Sequence, residues 1–127
     1  MPEKDSLDAA SAMRRHVLGD AYVDRYVESP NPATIEFQEY LTSMAWGVWT
    51  RGGPLTTRDR SLVVLAMTAA LGRMEEFALH VEASGRAGVR SAELDELLFQ
   101  IAAYCGAPAG VAANRTVQEV RARQVET

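Results

Sequence analysis

The run Leu62–Ala70 is apolar at every position except Thr68. Carried through Leu71, a helix built from it is apolar on every face and needs neighbours all round, as at the centre of a bundle or in an oligomer core. It is far short of the ~20 residues that cross a bilayer, so a membrane-spanning reading is excluded. Thr56, with Asp59 three residues on, fits a capping box that starts this helix, and Gly72 ends it.

Glycine and proline divide the rest of the chain in the same way. Met1–Ser6 reads as a loose terminus, Leu7–Leu18 as a helix stopped by Gly19-Asp20, and Ala21–Val27 as a short second helix. Pro30-Asn31-Pro32 breaks the chain, and a long helix follows from near Ala33. Its stripe of Phe37, Leu41, Met44 and Val48 recurs at helical spacing. The loop Thr50-Arg51-Gly52-Gly53-Pro54 closes it. Arg73–Ala87 reads as a helix capped by Gly88, and Ser91 caps another that runs through Tyr104. Gly106-Ala107-Pro108 breaks again before a last helix, Ala109–Arg123. No stretch alternates like a strand for long. The expectation is an all-α, single-domain bundle of about six helices over residues 1–127. Trp46 and Trp49 add apolar surface that so short a chain can barely cover, which points to a homo-oligomer, with a compact monomer as the alternative.

Charge and chemistry exclude several classes. The chain has 13 Lys and Arg against 17 Asp and Glu, a net charge of −4. Nucleic acid is therefore not the expected partner. Cys105 stands alone, so no intramolecular disulfide forms. With only two histidines, His16 and His80, a metal site has little to build on. No basic, apolar leader opens the sequence, and the expectation is a cytoplasmic protein without a metal.

Two constellations could carry chemistry. On a wheel of 100° per residue, Arg73, Glu76, Phe77, His80 and Ser84 share about a third of a turn. A carboxylate one turn before an imidazole can orient it and raise its pKa, as in a general acid or base. The same spacing fits a helical histidine with an incidental salt bridge. Arg51, Arg58 and Arg60 gather around the start of the apolar helix, where cations oppose the helix dipole. A bound anion would relieve that conflict, and so would simple solvation. Trp46, Trp49 and Tyr104 can wall a pocket or fill a core, and Cys105 reads as a small buried residue.

Several blocks in order are familiar: Arg15-x-Val17-Leu18-Gly19-Asp20, Trp46-Gly47-x-Trp49-Thr50-Arg51, Arg58-x-Arg60-Ser61-Leu62, Ala70-Leu71-Gly72-Arg73-x-Glu75-Glu76, His80-Val81 and Ala103-Tyr104-x-Gly106-x-Pro108. Together they resemble the 4-carboxymuconolactone decarboxylases over nearly the whole chain. Redox relatives, similar to the alkyl hydroperoxide reductase partner, carry Cys-x-x-Cys-x-x-x-His where this chain reads Arg73-x-x-Glu76-x-x-x-His80. Without those cysteines, dithiol chemistry cannot run.

The resemblance implies cofactor-independent decarboxylation of a carboxylated lactone in protocatechuate breakdown, giving the enol-lactone of β-ketoadipate. Such a substrate is its own electron sink, because the released electron pair conjugates to the lactone carbonyl. For such a substrate the spacing on one helix side, with the histidine that the family retains, makes His80 and Glu76 the expected catalytic groups, and Arg51, Arg58, Arg60, Arg73, Trp46, Trp49 and Tyr104 the expected substrate-binding ones. The resemblance also implies a homo-oligomer, a hexamer. The alternatives are a sister enzyme acting on another lactone or β-keto acid in a biosynthetic pathway, and a non-catalytic oligomeric binding protein.

Overall fold

In a computed structural model, residues 4–27 and 34–126 are described, and they are almost entirely helical. The elements are α1 (Lys4–Leu18), α2 (Asp20–Val27), α3 (Ile35–Leu41), a π-helical turn (Thr42–Trp46), α4 (Gly47–Thr50), α5 (Thr57–Ala70), α6 (Met74–Ala87), α7 (Ser91–Cys105) and α8 (Ala107–Glu126). The all-α class expected from the sequence holds, with no strand among the described residues. No described helix is long and apolar enough to cross a membrane. The helices group into two compact units, Met1–Leu55 and Thr56–Thr127.

In the first unit α1 is already helical at Lys4, so Lys4–Ser6 are ordered where a loose terminus was expected. Met1–Glu3 lie outside the described residues. Gly19 takes a left-handed φ of 88° and separates α1 from α2. Arg15 spans that break, reaching Asp20 at 3.1 Å and Asp24 at 2.9 Å. The expected break at Pro30-Asn31-Pro32 also lies outside the described residues, as does Ala33. Thr34 caps α3, its hydroxyl accepting from the Phe37 amide at 3.2 Å.

The long helix expected next is interrupted by the π-helical turn, and its buried stripe moves. A π turn carries an extra residue per turn and rotates whatever follows it. Phe37, Met44 and Val48 are exposed, contrary to the sequence reading. Thr42, Trp46 and Trp49 face inward instead, on the segments that pack against α1. The two indoles meet at 5.0 Å between centroids with a 33° tilt, within the range that aromatic pairs favour.

The second unit is two helical hairpins, α5–α6 and α7–α8, packed on each other. Its core draws Leu65 from α5, Phe77 and Val81 from α6, Ile101 from α7 and Val117 from α8. Each such side chain stabilises the fold by ~1.5–3 kcal/mol on burial. The Thr56–Asp59 capping box forms as expected, each partner bonding the other's backbone amide at 3.1 Å. Those bonds, with the backbone contact to Thr56 first, hold the Asp59 carboxyl below its usual pKa. Helix α5 buries Ser61, Leu65 and Ala69, while Val63 and Met67 remain exposed. Its all-round apolar surface is thus covered on one side by this chain.

Gly88, at φ 100°, caps α6 as expected. Two helix starts differ from the sequence reading. The cap of α7 is Arg90 rather than Ser91, because the Glu93 carboxylate reaches back to the Arg90 amide at 2.9 Å. Helix α8 begins at Ala107, with Pro108 inside the first turn, where its missing N–H costs nothing.

Helices α7 and α8 approach closely at one glycine. A Cβ on Gly110 would stand 2.7 Å from the Ala102 Cβ and 3.0 Å from its Cα. Gly110→Ala would gain ~1 kcal/mol in helix propensity, against ~1–3 kcal/mol for overpacking. The expected outcome is a lower Tm by differential scanning calorimetry. Gly85→Ala, where added bulk meets nothing within 4 Å, should instead leave Tm unchanged or raise it.

Candidate active site

Helix α6 sets out its side chains as the wheel predicts. Phe77, Val81 and Ser84 are buried, His80 on the same side is half-buried, and Glu76, one turn earlier, is exposed. The His80 Nδ1 atom is sealed from solvent, and no group hydrogen-bonds it there. Burial pushes the imidazole below its ordinary pKa, and the Glu76 charge pulls the other way with the smaller effect. The sequence reading had the carboxylate raising this pKa; desolvation outweighs it because the ring lies inside and the carboxylate outside. At neutral pH His80 is therefore an uncharged imidazole. One ring nitrogen can donate and the other can accept.

The arginines at the start of α5 take different places. Arg58 is held in a two-pronged pair by Glu93: its Nε donates to Oε1 at 3.2 Å and its Nη2 bonds Oε2. It also reaches Asp59 at 3.3 Å. Thus an anion does meet a cation at this helix start, but the chain itself supplies it, from the first turn of α7. Arg60 is half-buried. Arg73 is the exposed N-cap residue of α6, its amide bonded to the Thr68 carbonyl at 2.8 Å. In the first unit Arg51 is exposed, and Trp46 and Trp49 are buried against α1.

Tyr104 is 88% exposed at the end of α7, so it walls no pocket within this chain. Cys105 beside it is exposed rather than buried, because the helix stops there and Gly106 turns the backbone away. Among the described residues no group of three or more His, Cys, Asp and Glu is arranged to hold a metal ion.

Sequence reasoning missed two residues. Glu93 lies three positions into α7 from Arg90, which is the signature position for a carboxylate that caps backwards. Ser61 is fully buried in line with Leu65 and Ala69, and its Oγ has no hydrogen-bond partner. Its helical register with two apolar residues was the available signal.

Fold and side chains together define a small all-helical protein that presents a desolvated, uncharged imidazole, a nearby carboxylate and a set of arginines. Chemically, such groups can move a proton and pair with an anion. Residues 36–119 match the model of the carboxymuconolactone decarboxylase family. The chain is 40% identical over 109 residues to a 4-carboxymuconolactone decarboxylase of Acinetobacter baylyi, covering 85% of this chain and 81% of that protein. It is 34% identical over 113 residues to a nitrosuccinic acid decarboxylase of Metarhizium robertsii, covering 88% and 78%. A 4-carboxymuconolactone decarboxylase of Pseudomonas putida matches at 51% over 47 residues, 37% of this chain and 98% of that one. The chain belongs to the carboxymuconolactone decarboxylase family.

The His80 environment carries a sign that can be measured. A histidine whose folded pKa is depressed contributes stability above its unfolded value, and loses it as pH falls through the folded value. Wild-type Tm should therefore fall as pH drops from about 7 toward 5. In His80→Gln that part of the decline should flatten. Parallel Tm profiles for the two proteins would contradict the assignment.

Proposed function

We propose that this protein catalyses cofactor-independent decarboxylation of 4-carboxymuconolactone to the enol-lactone of β-ketoadipate, in the breakdown of protocatechuate. The observation that carries this is 40% identity to a protein of that activity over most of both chains. The geometry of α6 supports it. As the carbon–carbon bond to the departing carboxylate breaks, carbon dioxide leaves and the electron pair spreads through the ring double bond to the lactone carbonyl. A proton must then reach carbon.

His80 is proposed to deliver that proton. In the free protein the imidazole is uncharged; the carboxylates of a bound dianion favour its protonated form, so the proton settles there as substrate arrives. Solvent restores it after turnover. Glu76 supports the cation from one turn away. Arg60 and Arg73 are proposed to bind carboxylate and stabilise the developing oxyanion, while Arg58 holds the start of α5 through Glu93. Arg51, Trp46, Trp49 and Tyr104 enter as substrate-binding residues on the sequence reading alone. The family match runs through both compact units, which supports treating them as one functional domain.

We extend the proposal to self-association as a homo-oligomer, a hexamer, in the cytoplasm. Met67 at 58%, Leu71 at 73% and Phe99 at 71% exposure leave apolar surface that a second copy would cover. Light scattering after gel filtration should show an oligomer, and a monomer at micromolar concentration would refute this part.

The direct test is loss of absorbance of enzymatically generated 4-carboxymuconolactone in the presence of EDTA, with nitrosuccinate assayed in parallel. Turnover of the lactone supports the reading; turnover of nitrosuccinate alone replaces it. A positioned proton donor contributes ~10²–10⁴-fold, so His80→Ala should lose about that much kcat with its helical circular dichroism intact. Glu76→Gln should lose less and should lower the apparent pKa of the acid in the kcat profile.

The arginines should separate by measurement. Arg60→Lys and Arg73→Lys should lose about tenfold in kcat/KM, the loss of roughly one charge-assisted bond, with little change in Tm. Arg58→Lys should chiefly lower Tm, because it breaks the two-pronged pair with Glu93.

A further inference from the structure

Helix α6 borders a groove of about 680 Å³, which opens where its C-terminal half meets the start of α7 and the end of α8. Small-molecule sites typically enclose ~300–1,000 Å³ and are lined mainly by apolar groups with a few placed polar ones. The buried side chains of Val81, Val89 and Leu94 supply the apolar part. Gly85 supplies room, because a Cβ added there would meet nothing within 4 Å. On a helical wheel Gly85 stands about 140° from His80, and neither His80 nor Glu76 lines the groove.

The polar groups of the groove are hydrogen-bond donors held in place. Arg121 of α8 donates from Nη1 to Asp95 Oδ1 at 2.8 Å. From Nη2 it donates to the Ser91 carbonyl at 3.1 Å and to Ser91 Oγ at 2.9 Å. With its side chain 28% exposed, this guanidinium is part of the wall and not a solvated arm. Those three bonds leave its Nε–H and a second Nη1 proton for another acceptor, and Ser91 Oγ, accepting from Arg121, keeps its own proton to give. Asp95 is itself 55% exposed and does not line the groove. Among the described residues that do, Glu82 is the only carboxylate, and Arg86 already holds both its oxygens.

We infer that this groove is a binding site for a small carboxylate with an apolar body, of the arylalkanoate kind. The carboxylate accepts from Arg121 and from the Ser91 hydroxyl, and the hydrocarbon lies over Gly85 against Val81, Val89 and Leu94. A carboxylate suits the site better than a neutral oxygen, since charge-assisted bonds are roughly twice as strong as neutral ones. The guanidinium is fixed before the ligand arrives, so little side-chain freedom is lost on binding. The inference stands apart from the reaction assigned above and does not depend on it.

The test is calorimetric titration of the full chain with 4-phenylbutyrate, with acetate and 4-phenylbutanol to present the charge and the body separately. 4-Phenylbutyrate should bind saturably, and each of the other two about tenfold more weakly or less still. Gly85→Leu should fill the groove and abolish binding while Tm stays at or above the wild-type value, because leucine is the better helix former. Ser91→Ala should weaken binding roughly two- to tenfold, the loss of one hydrogen bond. Absence of saturable binding, undiminished binding in Gly85→Leu, or equal affinity for 4-phenylbutanol would overturn the inference. Binding lost in Arg73→Lys but kept in Gly85→Leu would place the ligand at the start of α6 and overturn it too. So would a smaller species of Gly85→Leu than of wild type by light scattering, which would make the groove a contact between copies of this chain.

Discussion

The second unit depends on where α5 begins. Its first turn is fixed twice, by the mutual capping of Thr56 and Asp59 and by the Arg58–Glu93 pair that ties it to the start of α7. A one-residue register shift of α5 against its neighbours would turn its contact face by 100° and carry Leu65 out of the core. Glu93 is 15% exposed and also accepts from the Arg90 amide, so one carboxylate serves a cation and a helix end together. Arg58 is 40% exposed, and the pair's Coulomb energy is partly screened. Its contribution is geometric as much as energetic: a guanidinium fork on a carboxylate fixes two helix starts in relation to each other.

From that register the chemistry of α6 follows. Phe77 and Val81 must face the core, and helical spacing then carries His80 inward with them and leaves Glu76 outside. Desolvation of the ring exceeds the pull of an exposed carboxylate, so the imidazole waits uncharged. On the proposed reading the charge that stabilises imidazolium would arrive with a dianionic substrate, and the free protein does not have to bury an uncompensated cation.

Local signals in the sequence were read correctly where a single turn of chain decides the outcome. Thr56 with Asp59, Gly88 after α6 and the glycine at position 19 each act through bonds or dihedral angles within a few residues. The π turn at Thr42–Trp46 escaped, because no breaker or capping residue marks it and it shows only in the turn's own backbone and in the burial of Trp46 and Trp49. The cap of α7 escaped by one position: serine is the better capping side chain, but a carboxylate three residues beyond Arg90 was the group that closed the end. Residue type left Tyr104 for a pocket wall or the core and Cys105 for the interior, whereas both are exposed where α7 runs out.

By itself, then, the sequence determined the helical class, most helix limits and the family, because caps, breakers, periodicity and ordered motif blocks are all written locally. It also put Glu76 and His80 on one side of one helix. Only the tertiary structure decided that Arg58 is committed to Glu93, a partner 35 residues away. It alone decided that His80 is depressed rather than raised in pKa, and that Ser61 lies buried with an unused hydroxyl. Charge pairing and desolvation depend on distance and on excluded water, and neither is known until helices distant in sequence are packed together.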